Sequence, residues 1–237
     1  MVNLKETVSK YSSISILSGA GISTLSGIPC YMGDSGIYND EYKGYPIGGI
    51  LTSSFYHNHN EVFVDYYFNL LFKQMQDKKP NFLHTFAMEL DTAGKLNLCI
   101  TQNIDTLYEQ TGLDTSKLCK IHGTYDEFVC AKCDRKSNDY HCCDSVMKPN
   151  VVLYDENFDG CDFQRYQSAI KNSDLLIVMG TRLDIIAHKQ SVIGCKGDVM
   201  LINNEHIDLV GYGVSREWDY ELIVDFNELD RNQFIVE

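Results

Sequence analysis

The apolar pattern of this chain predicts an α/β fold, a doubly wound parallel sheet with a smaller second lobe, and three observations carry that expectation. Short, nearly continuous apolar runs recur as ISIL (14–17), LNLCI (96–100), KLCKI (117–121), VVLY (151–154), DLLIVMG (174–180) and DVMLINN (198–204). Runs of that length read as strands buried on both faces, which is how parallel sheets read. The segments between them have helical character. In FLHTFAMELDTAG (82–94), Phe82, Phe86, Met88 and Leu90 supply much apolar surface and Gly94 a C-terminal stop. Two stretches break the alternation: residues 43–79 are aromatic-rich and read as a helical excursion, and residues 124–148 hold four cysteines with little to build a core.

Those breaks set the expected organisation. Residues 1-42, 80-123 and 149-237 form the large domain, and the inserts 43-79 and 124-148 together form the small one. Ligands of such a sheet are expected at the carboxyl ends of its strands.

At 237 residues the chain is long enough to bury a proper core. Its formal net charge of −13 disfavours nucleic acid, which needs clustered Lys and Arg, and favours a basic protein or peptide partner. Nine cysteines, an odd count, argue for a reducing intracellular compartment, read here as the cytoplasm, where thiols stay free or bind metal. MVNLKETVSKYSS lacks the apolar core of an export signal, and no later run approaches membrane-spanning length, so no membrane partner is expected. Oligomeric state leaves no trace in the sequence.

Four motifs carry chemistry. The first, SGAGISTLSGIP, follows the run ISIL; its glycines either make a tight turn or bring backbone N–H groups close to a phosphate. In the second, TQNID directly after LNLCI, Gln102, Asn103 and Asp105 crowd a strand end with donors, acceptors and one charge. They line a ligand site or merely cap the next helix. The third, His122-Gly123, ends the next run and places an imidazole for acid–base work at neutral pH, whereas His57, His59, His84, His141, His188 and His206 have no such support. The fourth is the cluster Cys130, Cys133, Cys142 and Cys143. Its Cys-x-x-Cys half suits one tetrahedral Zn²⁺; its adjacent pair is irregular, leaving His141 as an alternative to Cys142 and free thiols as an alternative to metal.

GAGISTLSGIP, KPNFLHTFAMELDTAGKLNLCITQNIDTLYEQTG, IHG, the cysteine pairs, KPNVVLYDE, MGTRL and INNE follow one another in the order of the sirtuin family, the NAD-dependent protein deacylases, over nearly the whole chain. The chain resembles that family closely in its combination of GAGIS, TQNID and HG. The resemblance implies a Rossmann-like NAD-binding lobe and a small helical, zinc-bearing lobe. It implies that Gly19, Ala20, Gly21 and Ser23 cradle the NAD phosphates, that Tyr31 covers the nicotinamide, and that Gln102, Asn103 and Asp105 hold nicotinamide and its ribose. By the same resemblance His122 is the catalytic base, assisted by Asn103 and Asp105. Gly180 and Thr181 form a second phosphate-side loop, Asn203 meets the adenosine ribose, and Val151 and Val152 flank the acyl-lysine tunnel. The implied reaction removes an acyl group from a protein lysine, giving nicotinamide and O-acyl-ADP-ribose, with NAD as co-substrate and zinc as a structural ion.

The chain departs from the family where Cys30-Tyr31-Met32 replaces Asp-Phe-Arg, removing a carboxylate and a guanidinium beside NAD. Tyr154-Asp155-Glu156 replaces Phe-Gly-Glu, Arg182 stands where Ser is common and Tyr108 where His is. These changes predict weaker or altered peptide binding. They keep open two other readings of the same site: an NAD hydrolase or ADP-ribosyltransferase, and a non-catalytic NAD or ADP-ribose module.

Overall fold

The structure, a computed structural model, describes residues 3–30, 36–158 and 160–236. Eight strands organise it: β1 (Ile14–Ser18), β2 (Leu96–Thr101), β3 (Leu118–Lys120), β4 (Gly123–Val129), β5 (Lys148–Val151), β6 (Leu175–Met179), β7 (Asp198–Asn203) and β8 (Tyr220–Ile223). Six of them form one parallel sheet in the order β8-β7-β6-β1-β2-β3. By sequence the order is 6-5-4-1-2-3, the doubly wound Rossmann arrangement, and its direction of winding reverses between β1 and β6.

The continuous apolar runs have a plain cause: both faces of the sheet are covered. Along β6, Leu175, Ile177 and Met179 pack into one core with Leu83, Phe86 and Leu90 of the helix Phe82–Thr92. Leu176 and Val178 alternate into the opposite core with Tyr166 and Ile170 of the helix Gly160–Lys171. All five β6 residues are buried. The helix Phe82–Thr92 begins at Asn81, whose Oδ1 accepts from the Leu83 amide at 2.9 Å, and Gly94 follows it at φ +70° as expected.

A third core serves the small lobe. Tyr56, Phe63, Tyr66, Tyr67 and Leu71 of the helical insert pack on Phe128, Cys130, Met147, Val151 and Leu153. The insert is helical as expected, running as short α-helices between Ile47 and Met75 with one π-turn at Tyr67–Leu71.

Three expectations need correction. VVLY is not a strand of the parallel sheet: β5 ends at Val151 and pairs antiparallel with β4, beside Lys136–Ser137. Val151 and Leu153 are buried against the helical insert, which a single-sequence pattern does not distinguish from burial in the main sheet. The cysteine-bearing stretch does contribute to a core, through Phe128, Cys130 and Met147. The sixth parallel strand, β8, is half-exposed at the sheet edge and lacks the continuous apolar signature.

Candidate active site

The loops leaving β1 and β6 meet at the point where the winding reverses. Gly19 N–H donates to Met179 O at 3.0 Å and Gly21 N–H to Gly180 O at 2.8 Å, so these two amides join the loops. A Cβ on Gly21 would lie 2.8 Å from Gly180 Cα, and one on Gly180, at φ +57°, would lie 2.6 Å from Ile22 N. The glycines are therefore required by backbone-to-backbone contact. The segment after them, Ala20–Ser26, is a 3-10 helix.

The end of β2 supplies the polar cluster. Gln102 reaches across to the β6 loop, its Nε2 donating to Thr181 Oγ1 at 3.0 Å. Asn103 Nδ2 donates to Gly19 O at 3.2 Å and to Ser23 Oγ at 3.0 Å. Ser23 Oγ–H in turn donates to Asp105 Oδ2 at 2.8 Å, while Asp105 Oδ1 accepts from the Leu107 amide at 3.1 Å. Ser23, Asn103, Asp105, Thr181 and Asn203 are all buried. Burial raises the Asp105 pKa despite these donors.

His84, which no sequence motif singled out, completes this cluster. Its Nδ1 accepts from the Asn81 amide at 3.3 Å, so Nε2 carries the proton and faces Ser23 Oγ at 3.4 Å. Burial depresses the His84 pKa to about 3, so the ring is neutral and the chain of donors runs from His84 through Ser23 to Asp105. The signal for His84 was its place three residues after Asn81, where it closes a capping box.

His122 leaves β3 beside this cluster. Its Nδ1 lies 2.7 Å from Gln102 O, an atom that only accepts, so Nδ1 holds the proton and Nε2 presents the lone pair of a general base. Burial lowers its pKa, favouring the neutral form. Gly123 turns the chain at φ +79°, where a Cβ would meet Asn150 O at 1.9 Å. Val152 N–H donates to His122 O at 3.0 Å, so the Val151-Val152 segment runs directly past the base. Lys120 Nζ fixes the other side of the Asp105 loop through Asp105 O at 2.8 Å and Glu109 Oε1 at 2.7 Å.

Asp155 sits at φ +69°, where the resembling family carries glycine. Its Oδ1 accepts from the Ser53 amide at 2.7 Å and its Oδ2 from the Ser54 amide at 3.3 Å. The charge is thus engaged at the start of the helix Ser53–Asn58, which the sequence did not reveal. Asn203 Nδ2 donates to Glu205 O at 3.0 Å, and exposed Arg182 pairs with Asp184 and Glu205. Tyr31, with Met32 beside it, lies outside the described residues. Cys30 is half-buried, and burial raises its thiol pKa.

In the small lobe, the Sγ atoms of Cys130, Cys133, Cys142 and Cys143 lie within 4.8 Å of one another. The Cys133–Cys142, Cys142–Cys143 and Cys133–Cys143 separations are 3.6, 3.7 and 3.7 Å. A tetrahedral Zn–S₄ centre with bonds of about 2.3 Å has edges of about 3.8 Å, so the four thiols fit one Zn²⁺ in a closed, structural site. The adjacent pair converges because Cys143 and Asp144 both take positive φ, 51° and 57°, in the turn between His141–Cys142 and Ser145–Val146. Cys142 therefore faces the cluster, and His141 is not needed as its replacement. The Lys132 amide helps hold the Cys130 thiol down at about 7, favouring the thiolate a metal requires. Among the described residues no helix is long and apolar enough to cross a membrane.

With this geometry in view, the likeness to known proteins is informative. The family profile described as Sir2 family matches residues 19–187. The chain is 33% identical over 217 residues to an NAD-dependent protein deacetylase of Clostridium acetobutylicum, covering 85% of this chain and 86% of that protein. It is 32% identical over 212 residues to one of Staphylococcus epidermidis, covering 85% of each. In three dimensions it is similar to a Sir2 protein solved with deacetylated p53 peptide and 3′-O-acetyl ADP ribose, at TM-score 0.77, 25% identity and coverage of 93% and 91%. A second structure, described as concerning the basis of sirtuin substrate affinity, gives TM-score 0.81 at 25% identity over 98% of this chain and 97% of that one.

Proposed function

Because the chain belongs to the Sir2 family, we propose that it is an NAD-dependent protein-lysine deacylase, converting an acylated lysine, NAD and one water to lysine, nicotinamide and O-acyl-ADP-ribose. The observation that carries this reading is the pairing of a buried Asn103–Ser23–Asp105 network with a His122 whose Nδ1 is pinned by Gln102 O. NAD, when bound, supplies a strained-off leaving group, nicotinamide, and the ribose carbon that the acyl oxygen attacks.

The residues of the chain then divide the work. Asn103 and Asp105 hold the nicotinamide ribose from a buried, hydrogen-bonded cluster, which places the reacting atoms rather than moving charge. His122 Nε2 takes the proton of a ribose hydroxyl, a step worth about 10² to 10⁴ in rate for a well-placed base. The β1 and β6 loops, with Gly19, Ala20, Gly21, Ser23, Gly180 and Thr181, receive the phosphates, and Asn203 the adenosine ribose. Tyr31 covers the nicotinamide, and Val151 and Val152 guide the acyl-lysine past His122. The acidic surface favours a basic protein or peptide as the carrier of that lysine.

The test is product identification by mass spectrometry after incubation with NAD, with and without an acetyl-lysine peptide. O-acetyl-ADP-ribose formed only with peptide is the expected result. Peptide-independent release of ADP-ribose would instead assign water as the acceptor, and absence of NAD consumption would leave a binding module. A His122→Ala variant is expected to lose at least about 10²-fold in kcat, and normal turnover by it would remove the mechanism.

A further inference from the structure

The β6 loop enters the helix Ile186–Ile193, whose first turn carries His188. This imidazole is 0% exposed. Its ring centroid lies 5.7 Å from that of His122, tilted by 43°, and 5.4 Å from Phe158. Phe158 itself stacks on His122 at 5.5 Å, so the three rings, the base among them, form one cluster.

The tautomer of His188 follows from its hydrogen-bond chain. Ser191 has one hydroxyl proton and gives it to Ala187 O at 2.9 Å. Tyr166 OH, 2.7 Å from Ser191 Oγ and 3.4 Å from Ala187 O, therefore donates to these oxygens rather than to the imidazole. The Tyr166 oxygen is then the acceptor for His188 Nδ1–H at 3.2 Å. This leaves His188 Nε2 as a bare lone pair, and that atom is buried with no hydrogen-bond partner. Buried polar atoms of folded proteins are almost always paired, so an unpaired acceptor beside a catalytic base calls for a missing donor.

We infer that His188 is a ligand-binding residue of the catalytic centre, its Nε2 accepting a hydrogen bond from a neutral hydroxyl of the substrates presented to His122. The inference rests on the deacylase reading. Two substrates can bring such a hydroxyl: the ribose of the dinucleotide, or an acyl chain that carries one. A carboxylate-tipped acyl chain is disfavoured, because it offers the lone pair no proton. The titratable groups facing His188 are His122 and Tyr166, and burial keeps both imidazoles neutral, so the acceptor stays available through the neutral range.

The test uses ¹⁵N-labelled imidazole NMR and calorimetry on the full chain. A bare Nε2 resonates far from a hydrogen-bonded one, so the His188 signal reports directly on the donor. Three ligands are added: ADP-ribose, a plain acyl-lysine peptide, and a peptide of equal acyl length bearing a chain hydroxyl. The expected result is a shift of the Nε2 signal with ADP-ribose, which assigns the ribose, or with the hydroxyacyl peptide alone, which assigns the acyl chain. His188→Phe, which keeps an aromatic ring and removes the acceptor, is expected to weaken that ligand at least about 10-fold more than the plain peptide. A signal unmoved by any ligand that measurably binds the wild type overturns the inference. A wild type that binds none of the three removes the deacylase reading and this inference together.

Discussion

Asp105 shows how a residue can be placed for function against stability. Burial raises its pKa, so its ionised form is favoured less in the fold than in the unfolded chain. The contribution of such a group is fully present below the unfolded pKa and is lost as pH rises through the folded one. At neutral pH the carboxylate is therefore a liability. Asp105→Asn is expected to leave the thermal midpoint unchanged or higher near pH 7.5 while lowering kcat by about 10² or more, since it removes the buried charge and the Leu107 amide keeps its acceptor. A midpoint lowered by several degrees would contradict this. His122 behaves oppositely in activity: burial depresses its pKa below 6.5, and only the neutral ring is a base. The acid limb of kcat/KM is expected below pH 6.5, with activity falling as pH drops through it. His84 and His188, both depressed to about 3, add a stability term that is complete above the ordinary value of 6.5 and declines as pH falls below it, because the unfolded chain binds protons that the fold excludes. Urea titrations at pH 7.5 and 5.5 measure that decline. At this scale Gln102, Asn103, Asp105 and His122 were legible, since each stands at the end of an apolar run. His84 and His188 were not, because their neighbours come from segments about 60 residues away, as with Ser23 and His84, and 66 in the pairing of His122 with His188.

Among the elements, the parallel strands β1, β2, β6 and β7 declared themselves by their apolar runs, and the helix Phe82–Thr92 by its Asn81 cap and Gly94 stop. The β4–β5 pair did not. Its pairing is long-range in register, Val151 opposite Gly123, and depends on a glycine whose reason is visible only in three dimensions. Gly123→Ala combines a positive φ with a 1.9 Å approach to a backbone carbonyl that cannot swing aside. The substitution is expected to cost more than about 2 kcal/mol, or about 4–8 °C in Tm for a chain of this size. Thermal unfolding followed by circular dichroism checks it, and a loss under 1 °C would count against the geometry. The zinc half of the small lobe was legible as four thiols, yet the irregular Cys142-Cys143 spacing became intelligible only with the positive φ of Cys143.

For the whole molecule, the division into cores matters most. The small lobe has its own apolar cluster and its own thiol centre, distinct from the two cores that flank the sheet. Cys133→Ser, or strong chelation, is expected to release the metal and lower hydrogen-exchange protection in β4 and β5, while β1 and β6 keep theirs. Equal loss in all four strands would show that the lobes unfold as one. The net charge of −13 also has a reach beyond any one contact. For a Lys- and Arg-rich acetyl peptide, kcat/KM is expected to fall several-fold between about 0.05 and 0.5 M salt, with a neutral peptide much less affected.

Residues 151–155 tie these parts into one mechanical train. Val152 is bonded to the carbonyl of His122, Tyr154 exchanges backbone bonds with Leu51 and Ser53, and the Asp155 carboxylate clasps the Ser53 and Ser54 amides. These bonds join the helical insert to the peptide group of the base itself. The base and the helical insert are therefore anchored to the same five-residue stretch, although the insert holds none of the reacting atoms.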